Sequence, residues 1–225
     1  MSSAALSTPG LLPADWRERL RQQLLARPDH RPGHCRFGPF RAEPPAAVLD
    51  ALRPNALEPP RAAAVLVPIF ERAGVPQLLL TVRASHLRTH AGQISFPGGR
   101  LEGQDSDASA AALRETQEEI GVAAADIEPV GFLSDHLVRT GYRISPLVAW
   151  LLPGFKLCAE RTEVAEILEL PLSFALEAAN YQARRHTLGG IECELLDLPF
   201  GRYHIWGATA GILLNLRQLI LAGTA

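Results

Sequence analysis

The sequence predicts an α/β fold in which helices cover both faces of a mixed β-sheet. Apolar runs of strand length outnumber the segments with helical periodicity. The helical segments also fall between those runs, which is the pattern of a sheet enclosed by helices. With 47% hydrophobic residues in 225, the chain can build one sizeable core. We therefore expect one main domain over residues 61–225, with a helix and a Pro-rich extension over residues 1–60 packed on it.

The N-terminal elements are a helix, a long loop and a hairpin. Residues 14–26 (ADWRERLRQQLLA) have helical periodicity, and the following stretch to about Pro60 is rich in Pro, His and Gly, as loops are. Two short apolar runs, AAAVLVPIFE and VPQLLLTVRA, are then separated by RAG. This arrangement predicts a β-hairpin in which Gly74 supplies the turn.

Further strands and helices alternate through the rest of the chain. The predicted strands are PVGFLSDHLV (129–138), RISPLVAWLL (143–152), EVAEILELPL (163–172) and IECELLDLPF (191–200). Helices are predicted at about 107–120, at 173–180 and from Ala208 to Leu221. The last is apolar, but Asn215, Arg217 and Gln218 interrupt it before it reaches membrane-spanning length, so we expect a buried helix.

Composition excludes several functional classes. A formal net charge of −2 provides no broad basic surface, so we expect no nucleic-acid partner. The N-terminus, MSSAALSTPGLLPADW, lacks the basic start and apolar core of a signal peptide, and we expect no membrane partner. Cys35, Cys158 and Cys193 lie far apart, which favours free thiols in a reducing cytoplasm over a zinc site.

The segment DSDASAAALRETQEEIG concentrates negative charge on one predicted helix. Ser106 or Asp107 can cap its N-terminus, and Gly121 stands where a C-terminal cap belongs. Glu115, Glu118 and Glu119 have the spacing i, i+3 and i+4, which places them on one side of the helix.

Two interpretations of this acidic face are open. It can be an ordinary solvated surface, since runs of charge usually are. The FPGG directly upstream favours the alternative, because paired glycines let the backbone approach a ligand that a side chain would exclude. Hard divalent cations prefer such a set of carboxylate and carbonyl oxygens.

The segment GGRLEGQDSDASAAALRETQEEIGV resembles the Nudix box, Gly-x5-Glu-x7-Arg-Glu-U-x-Glu-Glu-x-Gly-U, where U is a bulky apolar residue. The matching residues are Gly99, Arg114, Glu115, Glu118, Glu119, Gly121 and Val122. The sequence departs from the motif in having Asp105 as the first acid, a spacer one residue longer, and Thr116 at the first U position.

The resemblance implies a Nudix-type α/β/α sandwich and hydrolysis of a nucleoside diphosphate linked to another group. It implies Mg²⁺ or Mn²⁺ as the cofactor, with Glu115, Glu118 and Glu119 as ligands and the Gly99 carbonyl as a further donor. Arg114 would orient a carboxylate. The general base stays open between Glu115 and Glu163, which precedes EVAEILELPL.

The stretch LLLTVRASHLRTHAGQISFPGG is similar to the signature of the coenzyme A branch of this family. Arg83, Arg88, Gly92 and Phe96 are in register with that signature. The likeness implies hydrolysis of the pyrophosphate bond of coenzyme A or its derivatives, giving 3',5'-ADP and 4'-phosphopantetheine. We expect the substrate-binding residues to be Arg83, His86, Arg88, His90 and Phe96, the cationic ones holding the 3'-phosphate.

Several alternatives remain at this point. The four cationic residues can instead be loop charges that pair with carboxylates. The same metal site can cleave ADP-ribose, a dinucleotide polyphosphate or an oxidised nucleoside triphosphate, or the chain can be a binding module without turnover. The oligomeric state is open between monomer and homodimer. His136 and His186 are predicted to be surface or hydrogen-bonded histidines.

Overall fold

The computed structural model describes residues 12–31, 35–41, 46, 48–49, 59–87, 90–188 and 190–222. The helices are α1 (Trp16–Gln23), α2 (Ala108–Ile120), α3 (Leu172–Leu176) and α4 (Gly207–Leu221). The first strands are β1 (Arg36–Phe37), β2 (Arg61–Arg72), β3 (Val75–Arg83), β4 (Ile94–Ser95), β5 (Gly98–Arg100) and β6 (Ile127–Phe132). They are followed by β7 (His136–Val138), β8 (Tyr142–Leu151), β9 (Val164–Pro171), β10 (Gln182–Leu188), β11 (Ile191–Phe200) and β12 (Tyr203–Ile205).

The main sheet is mixed, as predicted. In the described part of the chain nine strands form it, with the order β1-β7-β8-β2-β3-β4, and β5, β6 and β9 pair with β2, β8 and β3 respectively. The central pair, β2 and β8, is parallel, whereas β2 and β3 form the predicted antiparallel hairpin. Its two-residue turn has positive φ at Ala73 (51°) and Gly74 (77°), the hairpin conformation that glycine favours.

Helices cover both faces of this sheet, which confirms the α/β/α sandwich. Side chains alternate along β2, so Leu66 and Phe70 face α2, while Val67 and Ile69 face the opposite layer. That opposite layer contains α1, α3 and α4, whose residues in the larger core cluster include Trp16, Leu20, Leu172, Leu176, Leu213 and Leu216. None of the helices in the described ranges is long and apolar enough to cross a membrane.

One predicted strand is divided in the structure. Residues 129–138 form β6 and β7, which are separated at 133–135. The break turns the Asp135 side chain inward, where it is fully buried and accepts hydrogen bonds from Ser145 (2.8 Å) and from the Nδ1 of His30 (2.6 Å). Burying an ion costs free energy unless it is hydrogen-bonded. The hydrogen bonds that Asp135 needs therefore interrupt the continuous strand that the apolar pattern predicts.

Strands β10, β11 and β12 form a second, antiparallel sheet. The strand at 191–200 and the terminal helix agree with the prediction, but β10 was not predicted. Its sequence, QARRHTL, has no alternation of apolar residues, and its side chains are mostly exposed. Backbone pairing with β11 holds it in place.

His136 does not lie at the surface, which was one of the two predicted environments, and one of its ring nitrogens is unpaired among the described residues. It is 1% exposed, and its Nε2 has no hydrogen-bond partner among the described residues. The ring lies against α4, where a Cβ on Gly211 would come within 2.3 Å of its Cε1. Burial, assisted by the charge of Arg36, lowers the pKa of His136 to about 4.

We expect His136 to make the protein acid-sensitive. Because its pKa is about 4 in the folded state and 6.5 in the reference state, its contribution to stability is present above pH 6.5 and is lost as the pH falls towards 4. Relative to His136→Gln, the free energy of unfolding of the wild type should fall by about 3 kcal/mol over this window. Urea unfolding of both proteins from pH 4 to 7 measures the difference, and parallel curves would contradict it.

Candidate active site

Helix α2 carries the acidic side chains, and its ends are as predicted. The Asp107 carboxylate caps the N-terminus by accepting the N–H of Ala110 at 2.9 Å, and Gly121 ends the helix with φ of 73°. Ala111 and Ala112 are fully buried against the sheet. Small residues at these positions let the helix lie close to β5, which carries the paired glycines.

Glu119 is the most enclosed of the three glutamates. Its side chain is 5% exposed, and its Oε2 accepts the N–H of Gly98 at 3.2 Å. Arg83 lies opposite, with its Nη1 3.8 Å from the Glu119 Oε1. Burial, reinforced by the charges of Glu115 and Glu163, raises the pKa of Glu119 to about 7 although Gly98 and Arg83 oppose the shift. The contacts with Gly98 and Arg83 therefore compensate only part of the free-energy cost of burying the Glu119 charge.

Glu115 lies against the second of the paired glycines. A Cβ on Gly99 would come 2.4 Å from the Glu115 Oε1, so the carboxylate occupies the space that any larger residue needs. Burial raises the pKa of Glu115, while Arg114 opposes that shift. The structure therefore gives a reason for glycine at this position that was not predicted, which is the space taken by the Glu115 carboxylate.

Arg114 organises the acidic cluster. Its Nε and Nη2 each donate to Asp105 at 3.0 Å, and its Nη1 donates to Glu115 at 3.1 Å and to Glu118 at 2.9 Å. The bidentate pair holds the pKa of Asp105 below its usual value. Asp105 thus meets the arginine despite the longer spacer between them in the sequence.

Glu163 is brought to the same site by a loop that is fixed to the end of α2. The N–H of Cys158 donates to Ile120 O at 2.8 Å, and the N–H of Glu160 donates to Glu119 O at 2.9 Å. The Glu163 carbonyl accepts the N–H of Ala84 at 2.8 Å, while its side chain is exposed. Its charge raises the pKa of both Glu115 and Glu119, which places it within electrostatic reach of them.

The predicted substrate-binding residues are only partly brought together. Arg83 turns towards Glu119, but His86 and His90 are exposed on the loop between β3 and β4, and the His90 Nδ1 lies 2.7 Å from the Gln93 Oε1. Arg88 lies outside the described residues. Phe96 is 2% exposed within the larger core cluster, which leaves it no surface for a substrate. We therefore reassign Phe96 from substrate binding to packing in the core.

The carboxylates fit a divalent cation in chemistry, although they are not yet gathered around one. No three Asp, Glu, His or Cys side chains in the described part of the chain already enclose a common point. Arg114 holds Glu115 and Glu118, and Arg83 faces Glu119. Glu115 and Glu119 have buried carboxylate oxygens with raised pKa values, and a hard divalent ion would stabilise such donors. Together with the exposed Glu118 on the same helix, they suit such an ion after rotation of their side chains.

Sequence reasoning did not predict the part that Gly98 has in the site. Its N–H is the hydrogen-bond donor to Glu119, and a Cβ at this position would lie 2.4 Å from the Ala64 carbonyl oxygen. The FPGG motif was the available signal, but it was assigned to Gly99 alone.

In this α/β/α sandwich the acidic helix packs on paired glycines, and an arginine faces its most buried carboxylate. Similarity to known proteins gives the class, a Nudix hydrolase. The chain belongs to the Nudix family, because the model of the NUDIX domain matches residues 59–179. It is similar to the uncharacterized Nudix hydrolase NudL of Citrobacter koseri, with 40% identity over 156 residues, 69% of this chain and 81% of the relative. The protein of the same description from Escherichia coli strain K12 has the same identity and coverage.

Among solved structures, the chain is similar to the crystal structure of the Nudix hydrolase RenU from M. Smegmatis. The TM-score is 0.43 with 19% identity, and the likeness covers 52% of this chain and 73% of RenU.

Proposed function

We propose that this Nudix hydrolase cleaves the pyrophosphate bond of coenzyme A or its derivatives, giving 3',5'-ADP and 4'-phosphopantetheine. The observation that carries the proposal is the position of the segment resembling the coenzyme A signature. At its start Arg83 faces Glu119, and at its end Gly98 donates to the same carboxylate. The segment that favours coenzyme A therefore contacts Glu119, one of the proposed metal ligands, and is available to determine the substrate.

The cofactor in this proposal is Mg²⁺ or Mn²⁺. When bound, such an ion neutralises phosphate charge and lowers the pKa of an attacking water. Glu115, Glu118 and Glu119 would hold it, with the Gly99 carbonyl as a further donor. Arg114 would stay oriented through its bidentate hydrogen bonds to Asp105 while Glu115 and Glu118 rotate towards the ion.

Arg83 is assigned to the pyrophosphate. Its guanidinium, 26% exposed, lies on the α2 side of the sheet beside Glu119, where the scissile group must lie. A planar guanidinium donates two parallel hydrogen bonds to phosphate oxygens, which suits it to orient the anhydride. His86, Arg88 and His90 would contact more distant parts of the substrate.

The proton acceptor is assigned to Glu163, with Glu115 as the alternative. Glu163 is exposed, lies within electrostatic reach of both buried glutamates and, unlike Glu115, is not held by Arg114. An exposed carboxylate can accept a proton from water and release it to solvent.

We expect Glu163→Gln to lower kcat by about 10²-fold, in the range of a lost general base, without weakening metal binding. The stabilisation that Mg²⁺ gives to the variant should therefore match that of the wild type. Rate assays and melting curves with and without Mg²⁺ measure both quantities. A near-normal kcat would move the role of base to Glu115.

The three cysteines are free thiols, which supports the proposed cytoplasmic location.

The buried, mutually repelling glutamates argue against a binding module without turnover, since such a module gains nothing from raising the pKa of Glu119.

A panel of substrates tests the proposed function. We expect kcat/KM with Mg²⁺ or Mn²⁺ to be at least about tenfold higher for coenzyme A than for ADP-ribose, diadenosine tetraphosphate or an oxidised nucleoside triphosphate, the advantage that one extra charge-assisted contact gives. A higher value for one of those compounds would overturn the coenzyme A assignment. Tight binding without turnover of any compound would instead indicate a binding module.

A further inference from the structure

Three residues at strand ends form a cationic cluster at one rim of the main sheet. Arg61 begins β2, Arg100 ends the antiparallel β5, and Tyr142 begins β8. Arg61 is paired in register with Tyr142, and Arg100 with Ala63, so the three lie at the same end of the sheet. We call this group the rim cluster.

Both guanidinium groups of the rim cluster are directed at one aromatic ring. The Cζ of Arg61 lies 4.3 Å from the centroid of the Tyr142 ring, and that of Arg100 lies 5.4 Å from it. Arg61 also donates from Nη2 to the carbonyl oxygen of Thr140 at 3.2 Å. Stacking on a ring holds a guanidinium plane while leaving its edge free for an anion.

The rim cluster differs from several other exposed arginines in lacking a carboxylate partner. Arg17 pairs with Glu71, Arg72 with Glu169, and Arg202 with Glu166. Among the described residues, neither Arg61 nor Arg100 forms an ion pair, although both are exposed. Two like charges are therefore held at one ring with no ion-pair partner among the described residues, which favours the binding of an anion.

The hydroxyl group of Tyr142 adds an independent observation. Its oxygen is buried and has no hydrogen-bond partner among the described residues. A buried polar group without a partner is uncommon, and one explanation for it is an absent ligand or water. A ligand rich in acceptor oxygens, bound between the two guanidinium groups, would supply the missing partner directly or through a water.

The rim cluster adjoins the catalytic centre. Arg100 follows Gly99, whose Cα lies against the Glu115 carboxylate, and the carbonyl oxygen of Arg100 accepts a hydrogen bond from Arg114 at 3.1 Å. Because side chains alternate along a strand, Gly99 faces α2 and Arg100 faces the other side. As the last residue of β5, Arg100 lies where a substrate held at α2 can extend around the end of the sheet.

We propose that Arg61 and Arg100 bind a second phosphate of the substrate, a monoester on the ribose of the nucleotide whose anhydride lies at α2. This inference rests on the proposed function. Two guanidinium groups match the two negative charges of a phosphate monoester, whereas Arg83 is already placed at the anhydride. Tyr142 is the positioning residue that holds both groups at the spacing of one phosphate.

Calorimetry with two nucleotides that differ only in this phosphate tests the inference. Wild-type protein should bind 3',5'-ADP more tightly than 5'-AMP. In the double variant Arg61→Ala/Arg100→Ala, the affinity for 3',5'-ADP should fall about ten- to a hundredfold for each lost charge-assisted contact, while the affinity for 5'-AMP stays the same. Unchanged 5'-AMP binding also shows that the variant is folded.

The matched control is Arg185→Ala, which removes an exposed arginine from β10 and should leave both affinities unchanged. An equal loss for the two nucleotides, or a wild type without preference for 3',5'-ADP, would overturn the inference. If coenzyme A is not cleaved but the preference depends on Arg61 and Arg100, the proposed function fails and the rim site stands. If coenzyme A is cleaved and the preference is independent of both arginines, only the rim site fails.

Discussion

Replacing Glu119 by Gln is expected to lower kcat by about 10²-fold or more, as for loss of an electrostatic catalytic group, while leaving the metal-free protein as stable or more stable. The substitution preserves the size of the side chain and an oxygen that can accept the N–H of Gly98. It removes one of the proposed metal ligands and the charge that is repelled by Glu115 and Glu163.

The direction of the stability change follows from the raised pKa. The folded state keeps the Glu119 proton up to about pH 7, whereas the reference carboxyl releases it near 4.5, so ionisation destabilises the metal-free protein as the pH rises through this window. At pH 8, Glu119→Gln should therefore raise the free energy of unfolding by up to about 3 kcal/mol. The gain in stability on adding Mg²⁺ should shrink because the dissociation constant is larger.

One preparation of each protein gives both readouts: urea unfolding with and without Mg²⁺, and the rate on coenzyme A. Glu128→Gln is the control, since Glu128 is exposed on β6 and pairs with Arg21 rather than with the acidic cluster. It should change neither quantity. A Glu119→Gln protein with a near-normal rate and the full Mg²⁺ effect would show that Glu119 is an ordinary acidic residue.

Gly98→Ala is expected to have the second large effect, on stability and activity together. A Cβ would lie 2.4 Å from the carbonyl oxygen of Ala64 and 2.6 Å from the Cα of Val65, and φ is 151°. These are backbone atoms of β2, so the clash is relieved only by moving β5 away. We expect a loss of roughly 3–5 kcal/mol, the sum of steric overpacking and backbone strain.

Movement of β5 would also remove the N–H donor from Glu119 and shift Gly99 from Glu115, so kcat should fall in whatever protein remains folded. Gly74→Ala is the matched control, because Gly74 has φ of 77° but no atom within 4 Å of the added Cβ. It should cost only about 1–2 kcal/mol from the left-handed conformation and leave kcat unchanged. Equal losses in the two variants would show that close packing at Gly98 is unimportant.

The elements that could be predicted are those whose sequence pattern and buried surface agree. The hairpin has a turn glycine, α2 has cap residues and helical spacing, and α4 has a long apolar pattern, and the structure has all three within a few residues of the prediction. Strand β10 has no such pattern because it lies on the edge of a small sheet and is held by backbone hydrogen bonds. The break at Asp135 depends on partners that are distant in sequence, His30 and Ser145, which local patterns do not contain.

The residues of the site also differ in how far the sequence alone predicts them. The acidic residues of α2 share one helix face, so their proximity followed from spacing alone. Phe96 shows the limit of a motif, since a residue can match a substrate signature and still serve the core. The rim cluster combines Arg61, Arg100 and Tyr142 from three strands, and only the register of the sheet brings them together.

Identification of the products tests most directly the proposed metal-dependent hydrolysis of the pyrophosphate bond of coenzyme A. Coenzyme A is incubated with the protein and Mg²⁺ or Mn²⁺, with and without excess chelator. The products are then separated by chromatography and identified and quantified by mass spectrometry. We expect equal amounts of 3',5'-ADP and 4'-phosphopantetheine, with neither formed when the chelator is present. Release of inorganic phosphate from the 3' position, no cleavage of coenzyme A, or turnover undiminished by the chelator would contradict the claim.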